Sequence, residues 1–436
     1  MVRIQKESSG AGAVSDANNI ATVIVLKYMF LVSLYVLLPS ETATPWLSQE
    51  ALVLQAAKHV KMAKLQRLLF NRKKDEAFED RDKAKEERVF TFVADYSQNM
   101  YLPNFAEAQP GETYYYSPLN AYCFGVVDAS TRPSKLSAHI YLEDLGKKGG
   151  DNVASLLWKQ LQLNRLVPTD NSKPSIPAKE INFVFDNCGG QNKNRMVLRL
   201  PNLMVKRGIC KTARCIFLVR GHTKNDCDRL FNLMKQDYRI SNIYNLEELI
   251  GAVGKHPDVS PETVLEGDFC NFDSMEDKYM AKPLKVQENH IFEATTEDPN
   301  ALYLYEYDGE APKKQVLVRP PYRDIDWTDE ALSLLSAKQR VGLQEIKWIE
   351  LYDKWRPLIP VERQTFHYIR NPPTLDSRNK VKLHTKESKK QRKERSRTEE
   401  QVAKAEEQEE QQQFGGIQPA VEEAVEKELA NTPQKI

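Results

Sequence analysis

Five short apolar segments between residues 89 and 219 constrain the fold of this chain more than any other feature. They are residues 89–94 (VFTFVA), 121–127 (AYCFGVV), 136–142 (LSAHIYL), 181–185 (INFVF) and 213–219 (ARCIFLV). Runs of β-branched and aromatic residues bounded by Gly, Pro and Asp predict strands. Apolar residues at helical spacing follow the third, fourth and fifth runs. The predicted order is therefore β-β-β-α-β-α-β-α.

This order predicts an α/β domain over residues 89–238. A three-strand meander followed by alternating helices and strands is the RNase H-like arrangement, a mixed sheet in which the first and fourth strands are neighbours. Its helical crossovers should be right-handed. We expect Asn152 to cap the first helix. We expect Pro201 to kink or interrupt the second, over about residues 192–207, because proline removes a helical hydrogen bond.

The remaining chain divides by composition into four further segments. Helical spacing predicts a helical segment before the domain, and mixed short runs predict a C-terminal α+β extension with a helix over residues 329–352. Residues beyond that extension are too charged to form a core, so a disordered tail is predicted. The segments are residues 1–45 (a polar leader with an apolar stretch), 46–88 (helical), 239–365 (extension) and 366–436 (tail).

The apolar stretch, residues 20–38, contains a single charge, Lys27. Its length suits a membrane span. A lysine near the middle of a span costs about 2.5–3.5 kcal/mol on insertion scales. The alternatives are a buried or amphipathic helix and a non-native leader. We therefore expect the nucleus or cytoplasm as the location, with the membrane as the weaker alternative.

Charge and cysteine content narrow the function classes. The net charge of +1 argues neither for nor against nucleic-acid binding, but residues 378–397 include ten basic and two acidic residues. Such a cluster attracts phosphate and is typical of nuclear localisation signals, although many basic tails are only solvated. The six cysteines include no C-x-x-C pair, which argues against a zinc ribbon or redox motif and favours a reducing compartment.

Three aspartates stand where a site can form. Asp95 ends the first predicted strand, Asp186 ends the fourth, and Asp228 lies at the start of the helix after the fifth. If the first and fourth strands are neighbours, these acids converge at one edge. Like charges held close repel unless a cation lies between them, and oxygen ligands favour Mg²⁺ or Mn²⁺. Two such ions about 3.5–4 Å apart can activate water or a 3′-hydroxyl and stabilise the leaving oxygen of a phosphodiester.

We expect Asp186 to bridge both ions, Asp95 to hold the first or both, and Asp228 to complete one side. The structural alternative is that each aspartate is a turn residue or a helix cap. Asp226 competes with Asp228 as the third acid, and Glu143 is a further candidate.

Two polar clusters surround these acids, residues 186–194 (DNCGGQNKN) and 220–228 (RGHTKNDCD). Paired glycines allow close approach of a phosphate to the main chain. The first cluster lacks the Gly-x4-Gly-Lys spacing of a Walker A loop. His222 is a candidate for proton transfer, or simply a turn residue. The predicted nucleic-acid-binding residues are Gln191, Asn192, Lys193, Asn194 and Lys224.

The same clusters carry a family resemblance. The sequence resembles an uncharacterised, transposon-derived family with an RNase H-like transposase or integrase domain that uses an acidic triad of the DDE or DDD type. The matching pieces, within about residues 50–360, are residues 94–99 (ADYSQN), Leu102-Pro103, residues 147–157 (KKGGDNVASLL), 186–194 and 221–231 (GHTKNDCDRLF), with His59-Val60 and Gln66-Arg67 upstream.

The resemblance implies Asp95, Asp186 and Asp228 as metal-binding acids with His222 nearby, and it favours Asp228 over Asp226. The implied activity is Mg²⁺-dependent cleavage or strand transfer on DNA, or an inactive remnant of it, and oligomers are compatible with it. Relatives usually have more sequence before the first helix, so we expect a truncated or degenerate copy. The alternative function is a domesticated, non-catalytic nucleic-acid-binding or scaffold protein.

Overall fold

The structure of the 436-residue chain is a computed structural model. It describes residues 49–374, apart from 108, 169, 171–173, 275–278, 284 and 325–336, together with Arg378. The chain divides into two compact units, Met1–Lys64 with Glu387–Ile436, and Leu65–Lys386. The predicted leader at residues 1–45, including the apolar stretch 20–38, and most of the predicted tail lie outside the described residues.

The second unit is an α/β fold built on one mixed sheet. Ten strands belong to it in the described residues: β1 (Val89–Tyr96), β2 (Met100–Leu102), β3 (Leu119–Asp128), β4 (Leu136–Leu142), β5 (Ala178–Phe185), β6 (Cys210–Phe217), β7 (Val259–Thr263), β8 (Ile291–Thr295), β9 (Asp298–Tyr305) and β10 (Lys313–Val316). The strand order is β10-β9-β8-β6-β5-β1-β3-β4-β7, and β2 pairs with β3. All five predicted strands form.

The centre of the sheet places β1 and β5 side by side and parallel, which confirms that the first and fourth predicted strands are neighbours. β6 continues the parallel set beyond β5. β3 pairs antiparallel with β1, and β4 pairs antiparallel with β3. The carboxyl ends of β1, β5 and β6 therefore meet at one end of the sheet.

The helices of the described chain cover both faces of the sheet. They are α1 (Gln49–Glu79), α2 (Gly150–Leu163), α3 (Leu200–Lys206), α4 (Asp226–Arg239), α5 (Leu246–Val253), α6 (Glu345–Glu350) and α7 (His367–Arg370). On one face, α2 and α3 pack on the even-numbered residues of β1. On the other, α4 and the part of α1 after Leu65 pack on Val93 of β1 and Val184 of β5. Strands that are buried on both faces have continuous apolar sequences, and β1 has such a sequence at residues 89–94.

One glycine sets how closely α4 approaches the sheet. Gly125 of β3 pairs with Asp95 of β1. A Cβ at Gly125 would lie 2.4 Å from the ring of Phe231 on α4. Because no side chain stands there, Phe231 lies directly on the strand, and the first turn of α4 comes close to the end of β1.

Two local helix predictions are wrong. The helix predicted over residues 192–207 begins later: a 3-10 turn at Val197–Arg199 leads into α3 at Leu200. Pro201 occupies the first turn of α3, where its missing N–H has no helical partner to lose. The cap of α2 is Gly149, not Asn152, whose side chain instead donates to the Lys147 carbonyl oxygen at 2.5 Å.

The sheet crosses the predicted domain boundary at residue 238. β7 pairs with β4 at one edge, and β8, β9 and β10 extend the other edge from β6. Of the helix predicted over residues 329–352, residues 329–336 lie outside the described residues, residues 337–344 are not helical, and α6 starts at Glu345. The predicted tail begins too early: Ile369 of α7 is buried, and Trp348 Nε1 donates to the Asn371 carbonyl oxygen at 3.0 Å.

None of the described helices has the length and apolar character needed to span a bilayer. Cys123 and Cys215 are buried, and the six cysteines form no disulfide.

Candidate functional site

Asp95 and Asp186 leave two neighbouring strands at the same level. The parallel register of β1 and β5 pairs Ala94 with Phe185, so the next two residues are Asp95 and Asp186. Alternate residues of a strand point to opposite faces. Asp95 therefore lies on the face of Val93, and Asp186 on the face of Val184, which is the face that α4 covers.

Asp95 is a half-buried carboxylic acid among other acids. Burial raises the pKa of Asp95 to about 7, with Asp186 and Asp228 adding to the rise. The Tyr96 main-chain N–H donates to Asp95 Oδ1 at 2.7 Å, which opposes it. Asn225 approaches closely enough to lower this pKa too, although its Nδ2 makes no hydrogen bond of ordinary length to any described residue. A substantial fraction of Asp95 is therefore protonated at neutral pH.

Asp186 is held by the loop that follows it. Asn192 Nδ2 donates to Asp186 Oδ1 at 2.5 Å, and the Cys188 N–H donates to the same oxygen at 3.3 Å. Burial raises the pKa of Asp186, and the charge of Asp228 adds to it, while these two donors lower it. The loop thus fixes Asp186 with neutral donors and not with a cation.

Asp228 lies in the first turn of α4 and is exposed. It accepts from the Asn225 N–H at 3.0 Å through Oδ2, and Asn225 Oδ1 accepts from the Cys227 N–H at 2.8 Å. This is a capping box, a pattern readable in the sequence as Asn225-x-x-Asp228. Asp228 therefore contributes charge to the site while it caps its own helix.

Asp226, the competing third acid, has a different partner. Its carboxylate pairs with Lys74 of α1 at 2.5 Å. Glu143 is likewise engaged elsewhere, since it forms an ion pair with Lys347 and accepts from the Asn120 N–H at 2.7 Å. Asp228 is among the main groups that raise the pKa of Asp95 and Asp186, and Asp226 and Glu143 are not.

Most of the predicted nucleic-acid-binding residues serve the protein itself. Asn192 is buried against Asp186, and Asn194 Oδ1 accepts from the main chain of Met196 at 3.0 Å. Lys193 is buried as well: its ammonium donates to the Gln287 carbonyl oxygen at 3.3 Å and lies over the Phe217 ring. The Lys193 ammonium is therefore engaged inside the protein, and contact between Lys193 and a phosphate stays a prediction. Gln191 is half-buried and Lys224 is exposed.

His222 lies in the loop between β6 and α4. Arg67 of α1 binds this loop through the carbonyl oxygens of His222 at 2.6 Å and Lys224 at 2.8 Å. Burial lowers the pKa of His222, and the Arg67 charge lowers it further, so its imidazole is neutral at neutral pH. A neutral imidazole can accept a proton, so His222 keeps the chemistry that the predicted proton transfer requires.

Within the described residues, no group of three or more His, Cys, Asp or Glu side chains is gathered closely enough to hold one metal ion. Asp95 and Asp186 nevertheless fit a hard divalent cation as a pair. Both supply carboxylate oxygens, and each has a raised pKa that a bound cation would lower. Asp228 fits only if its carboxylate turns away from the cap of α4.

Comparison with known proteins gives one match. The profile of a domain of unknown function, DUF7869, matches residues 159–310. This stretch includes Asp186, Asp228 and the strands β5 to β9, and it begins after Asp95. No curated protein and no solved structure matches the chain.

Proposed function

We propose that this protein is an RNase H-like, transposase-type enzyme that cleaves or joins DNA phosphodiesters with Mg²⁺ or Mn²⁺. Two fold features support the RNase H-like interpretation. Strands β1, β3 and β4 form an antiparallel meander, and β5, reached through α2, returns parallel to β1 as its neighbour. The transposon-family resemblance of the polar clusters adds to it.

One observation carries the proposal: Asp95 and Asp186 stand at the ends of adjacent parallel strands, and burial raises the pKa of both. The charges of Asp186 and Asp228 add to the rise at Asp95, and the charge of Asp228 adds to it at Asp186. A protein gains nothing in stability from uncompensated buried acids. Strongly shifted pKa values are concentrated at functional sites for this reason.

Each residue has its own proposed role. The hydrogen bond from Asn192 favours the charged form of Asp186, and the Tyr96 N–H favours that of Asp95, against the larger effect of burial. Asp228, at the start of α4, would leave its capping position and help to hold the cation. When bound, a divalent cation would activate a water or a 3′-hydroxyl of the DNA and neutralise charge on the phosphate.

The test uses the full chain and two readouts. Asp186→Asn should reduce Mg²⁺-dependent nicking of supercoiled DNA by more than roughly a hundredfold. It should also abolish the rise in melting temperature that Mg²⁺ gives the unmodified chain, since a ligand stabilises only the state that binds it. Asp82→Asn is the matched control, because the Asp82 side chain is 84% exposed. Equal nicking by the unmodified chain and Asp186→Asn would refute the catalytic role.

A non-catalytic DNA-binding protein is the second candidate, and the capping role of Asp228 favours it. In that case Asp228→Asn weakens α4 but changes neither Mg²⁺ binding nor nicking. DNA binding that survives substitution of both Asp95 and Asp186, with no nicking by the unmodified chain, would support this function.

A further inference from the structure

Lys148 is a cation at the edge of the aspartate site, which is formed by Asp95, Asp186 and Asp228. It lies in the segment 147–157 (KKGGDNVASLL) but is not one of the predicted site residues. Its ammonium donates to the Ser97 carbonyl oxygen at 3.0 Å, two residues after Asp95. It also lies 4.9 Å from the centre of the Tyr96 ring and 5.3 Å from that of Tyr122. Two rings and one carbonyl fix the position of this ammonium.

Groups from both strand ends lie near Lys148. Burial lowers the pKa of Lys148, while Cys123 of β3, Asp95 near the end of β1 and Cys188 after β5 raise it. The ammonium is therefore near both loops that leave the site. It is half-buried, in contrast to the neighbouring Lys147, which is exposed.

The loop that carries Lys148 packs against the loop that holds Asp186. A Cβ at Gly150 would lie 2.3 Å from Asn194 Oδ1, so these two loops touch where Gly150 has no side chain. Apart from the chain neighbours, no heavy atom of a described residue lies within 4 Å of a Cβ built at Gly149 or Gly190. The main chain beside Lys148 and that beside the Asp186 loop are thus open to a ligand.

An ammonium has three N–H donors, and in the described part of the chain Lys148 uses one of them, on Ser97. Its charge is not matched by a carboxylate ion pair among the described residues. A fixed cation with free donors next to two acids suits a ligand that brings negative charge to the acids. Phosphate does so, and it would otherwise be repelled by Asp95 and Asp186.

We propose that Lys148 binds a phosphate of the DNA strand that crosses the aspartate site and so selects a polyanionic chain as the substrate. This inference rests on the proposed function for the identity of the strand. Lys148 is a substrate-binding residue in it, and the aspartates keep their roles. The buried Lys193 does not serve this purpose, since its ammonium lies beneath the loop on the Phe217 ring.

The experiment measures binding separately from cleavage. The full chain, Lys148→Gln, Lys148→Arg and Lys135→Gln are titrated against a fluorescein-labelled single-stranded DNA in EDTA, at several salt concentrations. Lys135 is the matched control because it is an exposed lysine that precedes β4, whereas Lys148 lies in the loop after β4. Circular dichroism establishes that each variant is folded.

Loss of one phosphate contact should weaken binding by roughly tenfold at low salt. It should also lower the slope of log K against log salt by about 0.7, the value for one phosphate of a single strand. Lys148→Arg should retain the slope, and Lys135→Gln should match the unmodified chain. If Lys148 has only a structural role, Lys148→Gln should instead lower the melting temperature and leave the slope unchanged. That result would overturn the inference.

A second probe takes its main readout from the unmodified chain. A single neutral methylphosphonate is moved along the DNA strand, and the unmodified chain should lose affinity at one linkage. Folded Lys148→Gln should be insensitive to the substitution at that linkage. If no linkage matters to the unmodified chain, the inference fails. Nicking that depends on Asp186 together with unchanged binding by Lys148→Gln would sink this inference alone. The reverse pattern, Lys148-dependent binding without nicking, would sink the proposed catalysis alone.

Discussion

β5 carries an acid at each end, Glu180 and Asp186, and their electrostatic surroundings are opposite. Glu180 is buried, but Arg214 of β6 pairs with it at 2.6 Å and Lys73 of α1 at 2.9 Å. Burial alone would raise the pKa of Glu180, yet these cations lower it to about 2. At Asp186, burial and a neighbouring acid raise the pKa, and only neutral donors oppose them.

The difference separates a structural charge from a candidate functional one. The Glu180 cluster, formed by Glu180, Arg214, Lys73 and Glu293, compensates its charges internally and links α1, β5, β6 and β8. In the aspartate site, no ion pair among the described residues compensates the charge of Asp95 or Asp186, and only neutral groups donate hydrogen bonds to them. Buried acids of both kinds look alike in a sequence, because their partners come from distant residues.

The largest expected effect comes from breaking the Glu180 cluster. Arg214→Met leaves Glu180 and Glu293 buried without their shared cation, so the free energy of unfolding should fall by about 3–5 kcal/mol. Urea denaturation measures it. Arg72→Met is the control, since Arg72 pairs with Asp308 on the surface and its loss should cost about 0.5 kcal/mol or less. Similar losses for the two variants would show that the cluster is not compensated as described.

Removing an acid from the aspartate site should have the opposite sign. Because the pKa of Asp95 is raised in the folded state, its ionisation destabilises the protein as pH rises from about 4 to about 7, and the whole penalty is present above pH 7. Asp95→Asn should therefore raise the free energy of unfolding by about 1–3 kcal/mol at pH 8, a value reduced for solvent screening.

The gain from Asp95→Asn should disappear toward pH 4, where Asp95 is protonated in both states. Mg²⁺ should narrow the difference at pH 8, since it would bind only the chain that keeps Asp95. A gain that is independent of pH would mean that improved packing, not relief of charge repulsion, is responsible.

The smallest effect should come from Asn225, which joins the helix cap to the acids. Asn225→Ala removes the cap of α4 and should cost about 1 kcal/mol of unfolding free energy. Asn245→Ala removes an equivalent cap from α5, where Asn245 Oδ1 accepts from the Glu248 N–H at 2.9 Å. The two should cost the same.

Only Asn225→Ala should further raise the pKa of Asp95, because the Asn225 side chain lowers it. The measurement is the Asp95 carboxyl shift in a pH titration by NMR. If the titration of Asp95 is unchanged in Asn225→Ala, the Asn225 side chain caps α4 without affecting the pKa of Asp95.

The central strands and the position of the acids were predictable because they depend on local patterns. Continuous apolar runs identify β1, β5 and β6, since strands covered on both faces need no polar residues. Asp95 and Asp186 follow from where those runs stop, and their adjacency follows from the predicted strand order. The Asn225-x-x-Asp228 pattern could also have shown that Asp228 caps α4.

Long-range packing explains several features that the sequence did not predict. Lys193 reads as a surface cation in a polar loop, but Gln287, 94 residues away in the chain, accepts from its buried ammonium. β7 joins β4 across the sheet edge, so the predicted boundary at residue 238 falls inside one sheet. Ile369 is buried although its neighbours in the sequence are polar.

The sequence by itself determined the α/β order and placed an aspartate at the ends of two strands, because strand periodicity and strand ends are local properties. Only the tertiary structure decided which acids are compensated. Arg214 lies on the strand beside Glu180, whereas no cation forms an ion pair with Asp186 among the described residues. Charge compensation depends on distances between residues far apart in the chain, and these are fixed only when the sheet assembles.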